Sequence, residues 1–264
     1  MRLLCTNDDG ILAHGLDCLV RAAEPLGEVT VVAPDREQSA TSHSLTLHHP
    51  VRPILRGDRR WQVDGTPTDC VMLAVEALME GRPNFVLSGI NHGQNMGEDV
   101  LYSGTVAAAM EGLSLGIPSI AISFAGGDLR ADPSLLSAQV SVLSRLLAHV
   151  VSLPNFPGDT LLNINLPPLH GDEIRGVRVT ALGRRVYSDS LMRMKDPWGR
   201  EIFWIGGGSA SPIEIGWSSL SENELRPTAS RTFRSISSRT SMCSARNCRA
   251  FSRPWPSWSP SYVN

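Results

Sequence analysis

The first 34 residues read MRLLCTNDDGILAHGLDCLVRAAEPLGEVTVVAP, and three patterns in this stretch decide the fold. Residues 3–6 are a short apolar run that predicts a buried strand, and the turn-forming letters NDDG follow at positions 7–10. Apolar residues within 15–26 recur at helical spacing, and residues 29–33 are a β-branched run that ends at a proline. A strand, a helix and a strand in this order predict a right-handed βαβ unit.

The chain repeats this alternation of helix and strand as far as residue 165. At residues 66–69 a threonine cap is followed by proline and by an acid near the positive end of the helix dipole, which marks a helix start. The alternation predicts an α/β fold, with a Rossmann-like open, mostly parallel sheet and helices on both faces. The expected segments are an extended arm at 44–54, helices at 66–79, 103–115 and 135–151, and strands at 85–88, 119–123 and 161–165.

A different pattern begins after the predicted core, which we place at residues 1–183. Stretches at 177–188 and 202–205, on either side of the turn-forming letters DPWG at 196–199, predict a β-hairpin. We assign residues 184–217 to a hairpin extension that protrudes from the core.

The segment 218–264 has an anomalous composition. Serine occupies 13 of its 47 positions and arginine seven, while aspartate is absent, and no helical or strand period is visible. One interpretation is a disordered tail. The other is a reading frame shifted after Gly208, since the single lysine, Lys195, against 23 arginines is typical of a GC-rich gene.

Composition excludes several functional classes. A formal net charge of -2 gives no reason to expect a nucleic acid or an anionic membrane as partner. No apolar run reaches the roughly 18 residues of a membrane span, and the N-terminus does not resemble a signal peptide. The five cysteines form no CxxC pair, which argues against a disulfide framework or a zinc site. These features predict a cytoplasmic protein.

Candidate functional residues follow three of the predicted strands. Asp8 and Asp9 are adjacent carboxylates after the first strand, and neighbouring carboxylates repel each other unless a cation lies between them. Because ligands bind at the carboxyl edge of an open α/β sheet, hydroxyl and amide groups from the later loops are expected nearby. Such an all-oxygen set suits Mg²⁺ or Mn²⁺. The helix start at residues 103–105 predicts a phosphate seat. A plain solvated turn remains the alternative for NDDG.

Histidines flank these loops at positions 14, 43 and 92. An imidazole could act as general acid or base, but the sequence does not select one of the three. Each could equally be a loop residue that binds backbone or water.

The motifs together closely resemble the SurE survival-protein family. They are MRLL and NDDG in residues 1–10, VAPDR with Ser39, GTPTDCV at 65–71, SGIN at 88–91, YSGTVAAA at 102–109, NINLP at 163–167 and DPWGR at 196–200. The resemblance spans roughly residues 1–208 and implies a 5′-nucleotidase, which also hydrolyses 3′-nucleotides and short polyphosphate in parts of the family.

Site residues carry over from this resemblance position by position. It implies one divalent metal ion per subunit, bound by Asp8, Asp9, Ser39 and Asn91, with Asp8 and Asp9 as the catalytic residues. It also implies phosphate contacts at Asn95, Ser103, Gly104 and Thr105. The family forms homodimers or homotetramers through the hairpin and a C-terminal segment, and the pattern of that C-terminal segment is missing after Gly208.

Three other classes compete with this interpretation. A phosphorylated-aspartate receiver domain would need a lysine in its core, whereas Lys195 lies in the predicted hairpin. A nicotinamide-dependent oxidoreductase would need a glycine-rich GxGxxG sequence after the first strand. A non-catalytic nucleotide-binding protein would keep the site without turnover, and an assay with a chelator control distinguishes it.

Overall fold

A seven-stranded sheet organises the molecule in the computed structural model, which describes residues 1–126, 133–154, 156–183 and 191–205. Its strands are β1 (Arg2–Thr6), β2 (Glu28–Pro34), β3 (Pro53–Gly57), β4 (Arg60–Val63), β5 (Phe85–His92), β6 (Ser119–Phe124) and β7 (Leu161–Leu166). Their order across the sheet is β3-β4-β2-β1-β5-β6-β7, and every neighbouring pair is parallel except β3 and β4. The predicted open, mostly parallel sheet is therefore confirmed.

Helices cover both faces of this sheet. The first is α1 (His14–Ala23), which packs against α4 and α5, while α2 packs against α3. In the described segments, no helix combines the length and the apolar character needed to cross a bilayer. The remaining helices are α2 (Pro67–Leu73), α3 (Gly104–Ser114), α4 (Pro133–Ala138) and α5 (Val140–Val151), with short 3₁₀ turns at Glu24–Leu26 and Gly97–Leu101 and a π turn at Ala74–Leu78.

The alternation of side chains along β1 explains the two layers. Leu3 and Cys5 are fully buried in one apolar cluster with the residues of α1, whereas Leu4 is fully buried in a second cluster with residues of α2. Successive strand residues point to opposite faces, so a strand buried on both sides must be apolar at nearly every position. The apolar run at residues 3–6 meets this requirement.

The structure corrects two of the predicted core elements. The predicted extended arm, 44–54, overlaps only the first two residues of β3, which forms an antiparallel pair with β4 at the edge of the sheet, and β4 was not predicted. The predicted helix 135–151 is two helices that meet at Gln139, whose buried side-chain amide donates to the carbonyl oxygens of Pro167 and Leu169. The buried Gln139 lies within a helical pattern of apolar residues, so the spacing of apolar residues alone did not reveal that the helix is interrupted there.

A second, antiparallel sheet forms the predicted hairpin. Its strands are β8 (Leu191–Lys195) and β9 (Glu201–Ile205). The turn between them is closed by the Asp196 carboxylate, which accepts hydrogen bonds of 2.9 Å from the backbone N–H groups of Trp198 and Arg200. The strand that pairs with β9 is thus β8 and not the predicted stretch 177–188, of which residues 177–183 have no strand structure and residues 184–188 lie outside the described ones.

The described part of the chain divides into two compact units. The first comprises Met1–Asn95 and Asp99–Arg175, and the second comprises Met96–Glu98 together with the described residues among 176–205. The sheet and its helices belong to the first unit, and the hairpin belongs to the second. The predicted tail 218–264, with its two interpretations, lies outside the described residues, and the segment boundaries at 183 and 217 stay predictions.

The start of α2 is fixed by a single buried carboxylate. Asp69 accepts hydrogen bonds from the backbone N–H of Thr66 at 2.8 Å and from the backbone N–H and hydroxyl of Thr46 at 3.0 and 2.6 Å. The Thr66 hydroxyl accepts in return from the Asp69 N–H, which completes a capping box. Asp69 therefore joins the helix to the loop between β2 and β3.

We expect Asp69→Ala to lower the free energy of unfolding by about 3 kcal/mol, because it removes a cap and leaves buried donors without an acceptor. Urea unfolding followed by circular dichroism measures the change. Asp58→Ala is the matched control, since the Asp58 side chain is 86% exposed and forms an ion pair with the neighbouring Arg59, and its effect should stay below about 0.5 kcal/mol. A loss of less than about 1 kcal/mol in Asp69→Ala would contradict the assignment.

Candidate metal and phosphate site

The candidate site lies where the order of the strands reverses. β1 is in the middle of the sheet, with β2 on one side and β5 on the other, so the loops after β1 and β5 diverge at the carboxyl edge. Crevices of this kind are the usual ligand sites of open α/β sheets. Asp8 and Asp9 follow β1, and Asn91 lies at the end of β5. The sheet thus brings together three of the predicted site residues.

A tight turn fixes the segment that carries the two acids. The side-chain amide of Asn7 donates to the carbonyl of Gly10 at 3.0 Å, and the N–H of Ile11 donates to the carbonyl of Pro34 at 2.8 Å. Gly10 has a φ of +102°, and a Cβ atom there would lie 3.2 Å from the carbonyl carbon of Arg36. The turn therefore requires glycine both for its conformation and for close packing on the loop after β2.

Asp8 is buried and is held by the start of α3. The hydroxyl of Thr105 donates to Asp8 Oδ1, and the backbone N–H of Thr105 also stabilises the carboxylate. Gly104 permits this approach, since a Cβ atom there would lie 2.8 Å from Asp8 Cβ and 3.0 Å from Asp8 Oδ2. The residues predicted to contact phosphate thus also build the wall against which Asp8 lies.

The electrostatic environment of Asp8 is unusual for a carboxylate. Burial raises the pKa of Asp8 to about 6; the hydrogen bond from Thr105 opposes this change, and the neighbouring charge of Asp9 adds to it. A carboxylate in such surroundings is more stable when a cation is bound to it. Burial therefore disfavours the ionised form of Asp8 when no cation is bound, and a bound cation would favour that ionised form.

Asp9 connects the turn to the end of β5. The backbone N–H of His92 donates to Asp9 Oδ2 at 3.1 Å. The pairing of β5 with β6 is irregular between Ser88 and Asn91, which re-aims the last residues of the strand. The Asn91 amide nitrogen donates to the carbonyl of Gly93 at 2.8 Å, so Oδ1 is the atom left to accept. An amide oxygen is one of the oxygen ligands that a hard cation accepts.

Ser39 lies in the loop after β2, next to a residue that contacts the acid turn. The backbone N–H of its neighbour Gln38 donates to the carbonyl of Asp8 at 2.7 Å, so this loop is joined directly to the acid turn. The Ser39 side chain is exposed, and its hydroxyl donates to Glu37 Oε1 at 2.8 Å. Its oxygen lone pairs remain suited to a cation.

The predicted phosphate contacts are distributed over two regions. Ser103 caps α3, and its hydroxyl accepts from the N–H of Val106 at 3.1 Å, which leaves the hydroxyl proton able to donate. The Thr105 hydroxyl is directed at Asp8 instead. Asn95 is buried, and its side-chain amide donates to Ser123 Oγ at 2.8 Å. Ser103 is therefore the side chain among these with a proton to offer a phosphate oxygen at the helix start.

The residues present fit a hard divalent cation. Within the described ranges, no three His, Cys, Asp or Glu side chains cluster as metal ligands, so the two acids need hydroxyl or amide oxygens beside them. Ser39 and Asn91 are the predicted sources of these oxygens. Among the described residues, the buried Oδ1 atom of Asn7 has no hydrogen-bond partner, so it is a further candidate oxygen ligand next to Asp8. A zinc ion would prefer imidazole or thiolate ligands, which this set lacks.

The three candidate histidines lie in separate places. His14 Nε2 is 3.2 Å from Ser137 Oγ and 3.5 Å from Cys18 Sγ. His43 Nε2 is 2.7 Å from Glu111 Oε2 on α3. His92 contributes its backbone N–H to Asp9. The geometry therefore does not single out a histidine as general acid or base.

A group of polar side chains around Asn95 was not predicted as part of the site. Asn163 and Asn165, both on β7, donate to the Asn95 carbonyl at 2.9 and 3.2 Å, and Asn165 Oδ1 accepts from the Asn95 N–H at 3.0 Å. These contacts fix the orientation of Asn95. The available signal was the repeated asparagine in the NINLP motif, at alternate positions of a strand that is otherwise apolar.

Comparison with known proteins shows which sequences this chain is similar to. The family model described as survival protein SurE matches residues 3–189. A 5'-nucleotidase SurE from Gemmatimonas aurantiaca is 71% identical over 226 residues, which cover 86% of this chain and 87% of the relative. A 5'-nucleotidase SurE from Methylococcus capsulatus is 48% identical over 206 residues, which cover 78% of this chain and 80% of the relative.

A solved structure extends the comparison to the fold. The crystal structure of a SurE protein from Aquifex aeolicus superposes with a TM-score of 0.69 at 42% sequence identity, covering 78% of this chain and 82% of that one. The match to the family model covers well over half of the chain, and the relatives are similar over most of their length. The chain therefore belongs to the survival protein SurE family.

Proposed function

We propose that this chain is a divalent-metal-dependent phosphomonoesterase that hydrolyses nucleoside 5′-monophosphates to nucleoside and phosphate. The observation that carries the proposal is the buried Asp8 carboxylate, which is held by Thr105 at the start of α3 with Asp9 beside it. Two acids and the positive end of a helix dipole lie at one point, where a cation and a phosphate can be bound together. The name of the relatives, 5'-nucleotidase SurE, supports nucleotides as the substrate class.

One Mg²⁺ or Mn²⁺ per subunit would be held by Asp8, Asp9, Ser39 and Asn91. When bound, such a cation neutralises charge on the phosphoryl oxygens and lowers the pKa of a water molecule, so that hydroxide is available near neutral pH. The donor set supports this choice, because carboxylate, hydroxyl and amide oxygens are the ligands that these ions prefer.

The chain itself positions the phosphate and the acids. Thr105 keeps the carboxylate of Asp8 in one orientation, and the first turn of α3 presents the positive end of its dipole to the phosphate. Ser103 donates its hydroxyl proton to a phosphoryl oxygen, since its oxygen already accepts from Val106. Asn95, fixed by the asparagines of β7, supplies an amide. Fixed dipoles of this kind stabilise the charge that develops during hydrolysis.

These interactions would bind the phosphate group of a nucleotide and do not involve its sugar or its base. We therefore extend the proposal to 3′-nucleotides and short polyphosphate as further substrates. A non-catalytic nucleotide-binding protein would use the same contacts without turnover. Phosphate release from AMP, measured with Mn²⁺ and again after EDTA treatment, separates the two, because only the enzyme releases phosphate and loses that activity on chelation.

We also propose a cytoplasmic homodimer or homotetramer. The hairpin strands expose large apolar side chains, among them Trp204 at 63% and Ile205 at 86%, as expected of a surface that another subunit covers. Cys5, Cys18 and Cys70 are buried and free, which supports a reducing compartment.

We expect Asp8→Asn to lower metal-dependent phosphate release from AMP more than about 100-fold, because it removes one of two charged ligands. The substitution keeps the size of the side chain and an oxygen that accepts from Thr105. It also removes a buried charge beside Asp9, so the melting temperature without metal should be equal to that of the wild type or higher. Full activity in the folded variant would refute the ligand assignment.

Gly104→Ala tests the close approach of α3 to the acid turn. The added Cβ would lie 2.8 Å from Asp8 Cβ, which forces the carboxylate away from its position. We expect kcat to fall at least about 10-fold while α3 remains folded, since misplacing a catalytic group by about 1 Å has effects of this size or larger. The matched control is Gly158→Ala, because nothing lies within 4 Å of a Cβ at that position. Equal activity of the two variants would contradict the role of Gly104.

A further inference from the structure

The segment between β2 and β3 carries Ser39 but has no regular structure of its own. Ala40 and Ser42 adopt left-handed conformations, with φ values of +58° and +54°. Non-glycine residues rarely adopt this region unless surrounding contacts impose it. The backbone around Ser39 must therefore be held in place by contacts with neighbouring elements.

Two sets of contacts join this segment to α3 and to the residues before it. The Ser42 N–H donates to the carbonyl of Tyr102 and its hydroxyl donates to the carbonyl of Leu101, both at 3.1 Å. His43 Nε2 lies 2.7 Å from Glu111 Oε2. Because a carboxylate only accepts, the imidazole is the donor in this contact.

The environment of Glu111 makes the contact with His43 significant. The Glu111 side chain is 11% exposed, on a helix whose other inward residues are glycine, alanine, valine and threonine. A buried carboxylate requires a partner, because an unpaired one loses its hydration without compensation. His43, whose side chain is 37% exposed, supplies that partner from the outside.

The position of this pair along α3 separates it from the reacting phosphate. Glu111 lies seven residues after Gly104 in the helix, which corresponds to about 10 Å along its axis. His43 therefore lies alongside the body of the helix and not at its first turn, where the acids and the phosphate seat are found. A role in proton transfer would require contact with the substrate.

We propose that the hydrogen bond between His43 and Glu111 is a positioning contact, which holds the Ser39 segment against α3 and so completes the set of oxygen ligands beside Asp8. This inference rests on the proposed function, because it assigns Ser39 to the cation. It makes α3 the common support of the site: its first turn holds Asp8 through Thr105, and its third turn holds the Ser39 segment through His43.

The test compares Mn²⁺ binding by the full chain and its variants, measured by electron paramagnetic resonance without nucleotide. His43→Ala should weaken Mn²⁺ binding about 10-fold, which is typical when a residue that orients a ligand is lost. His43→Gln restores a nitrogen donor at the place of Nε2 and should stay within about 3-fold of the wild type. Glu111→Gln, which keeps the shape of the side chain and weakens the hydrogen bond, should be intermediate.

His49→Ala is the matched control, because His49 is an exposed histidine of the same segment whose ring nitrogen contacts the carbonyl of the adjacent Pro50. It should bind Mn²⁺ as the wild type does. Hydrogen exchange provides a second measurement: in His43→Ala the amides of residues 38–46 should exchange faster, while those of α3 keep their protection. At saturating Mn²⁺ the KM for AMP should change less than about 2-fold.

Each outcome decides the matter. Unchanged Mn²⁺ affinity in a folded His43→Ala variant, or failure of His43→Gln to restore it, would overturn the positioning role while leaving the proposed function intact. A wild-type protein that binds no Mn²⁺ would overturn both. Lower thermal stability in His43→Ala with unchanged Mn²⁺ binding would reduce the pair to a structural contact and also overturn the inference.

Discussion

The hydrogen bond from Thr105 to Asp8 is the contact on which the rest of the site depends. It joins the turn after β1 to the start of α3, two segments 97 residues apart in the chain. Asp8 is buried, and a buried carboxylate is tolerated only with hydrogen bonds or a cation. Close contact is possible because Gly104 has no side chain. The identities of Asp8, Gly104 and Thr105 thus follow from the need to stabilise one buried carboxylate.

The elements nearest the N-terminus could be predicted from sequence because their patterns reflect burial directly. Residues 3–6 are apolar at nearly every position, as a strand covered on both faces must be, and the structure extends that strand by one residue. The edge strand β4 (Arg60–Val63) could not be predicted, since its mixed sequence gives no period and its formation depends on pairing with β2 and β3.

The resemblance predicts a set of site residues, whereas the contacts among these residues could not be predicted from the sequence. The resemblance pointed to Ser103, Gly104 and Thr105 together, but sequence could not show that the Thr105 hydroxyl faces Asp8 while Ser103 caps the helix. The polar side chains of β7 that hold Asn95 were even harder to predict. Nothing in a single sequence states that Asn163 binds the backbone of a residue 68 positions earlier, because that contact arises from strand order.

The candidate cation ligands differ in how the fold secures them. Asp8, Asp9 and Asn91 follow or end neighbouring parallel strands, so the register of the sheet fixes their backbones. Ser39 has no such support, and its neighbours Ala40 and Ser42 occupy left-handed conformations. Order in that segment must come from groups on other elements, which explains why the side chains of Asp69 and Glu111 and the backbone carbonyl of Tyr102 all contact it. A site with one ligand on an irregular loop therefore needs helices on the same face of the sheet as anchors for that loop. Both α2 and α3 meet this need here.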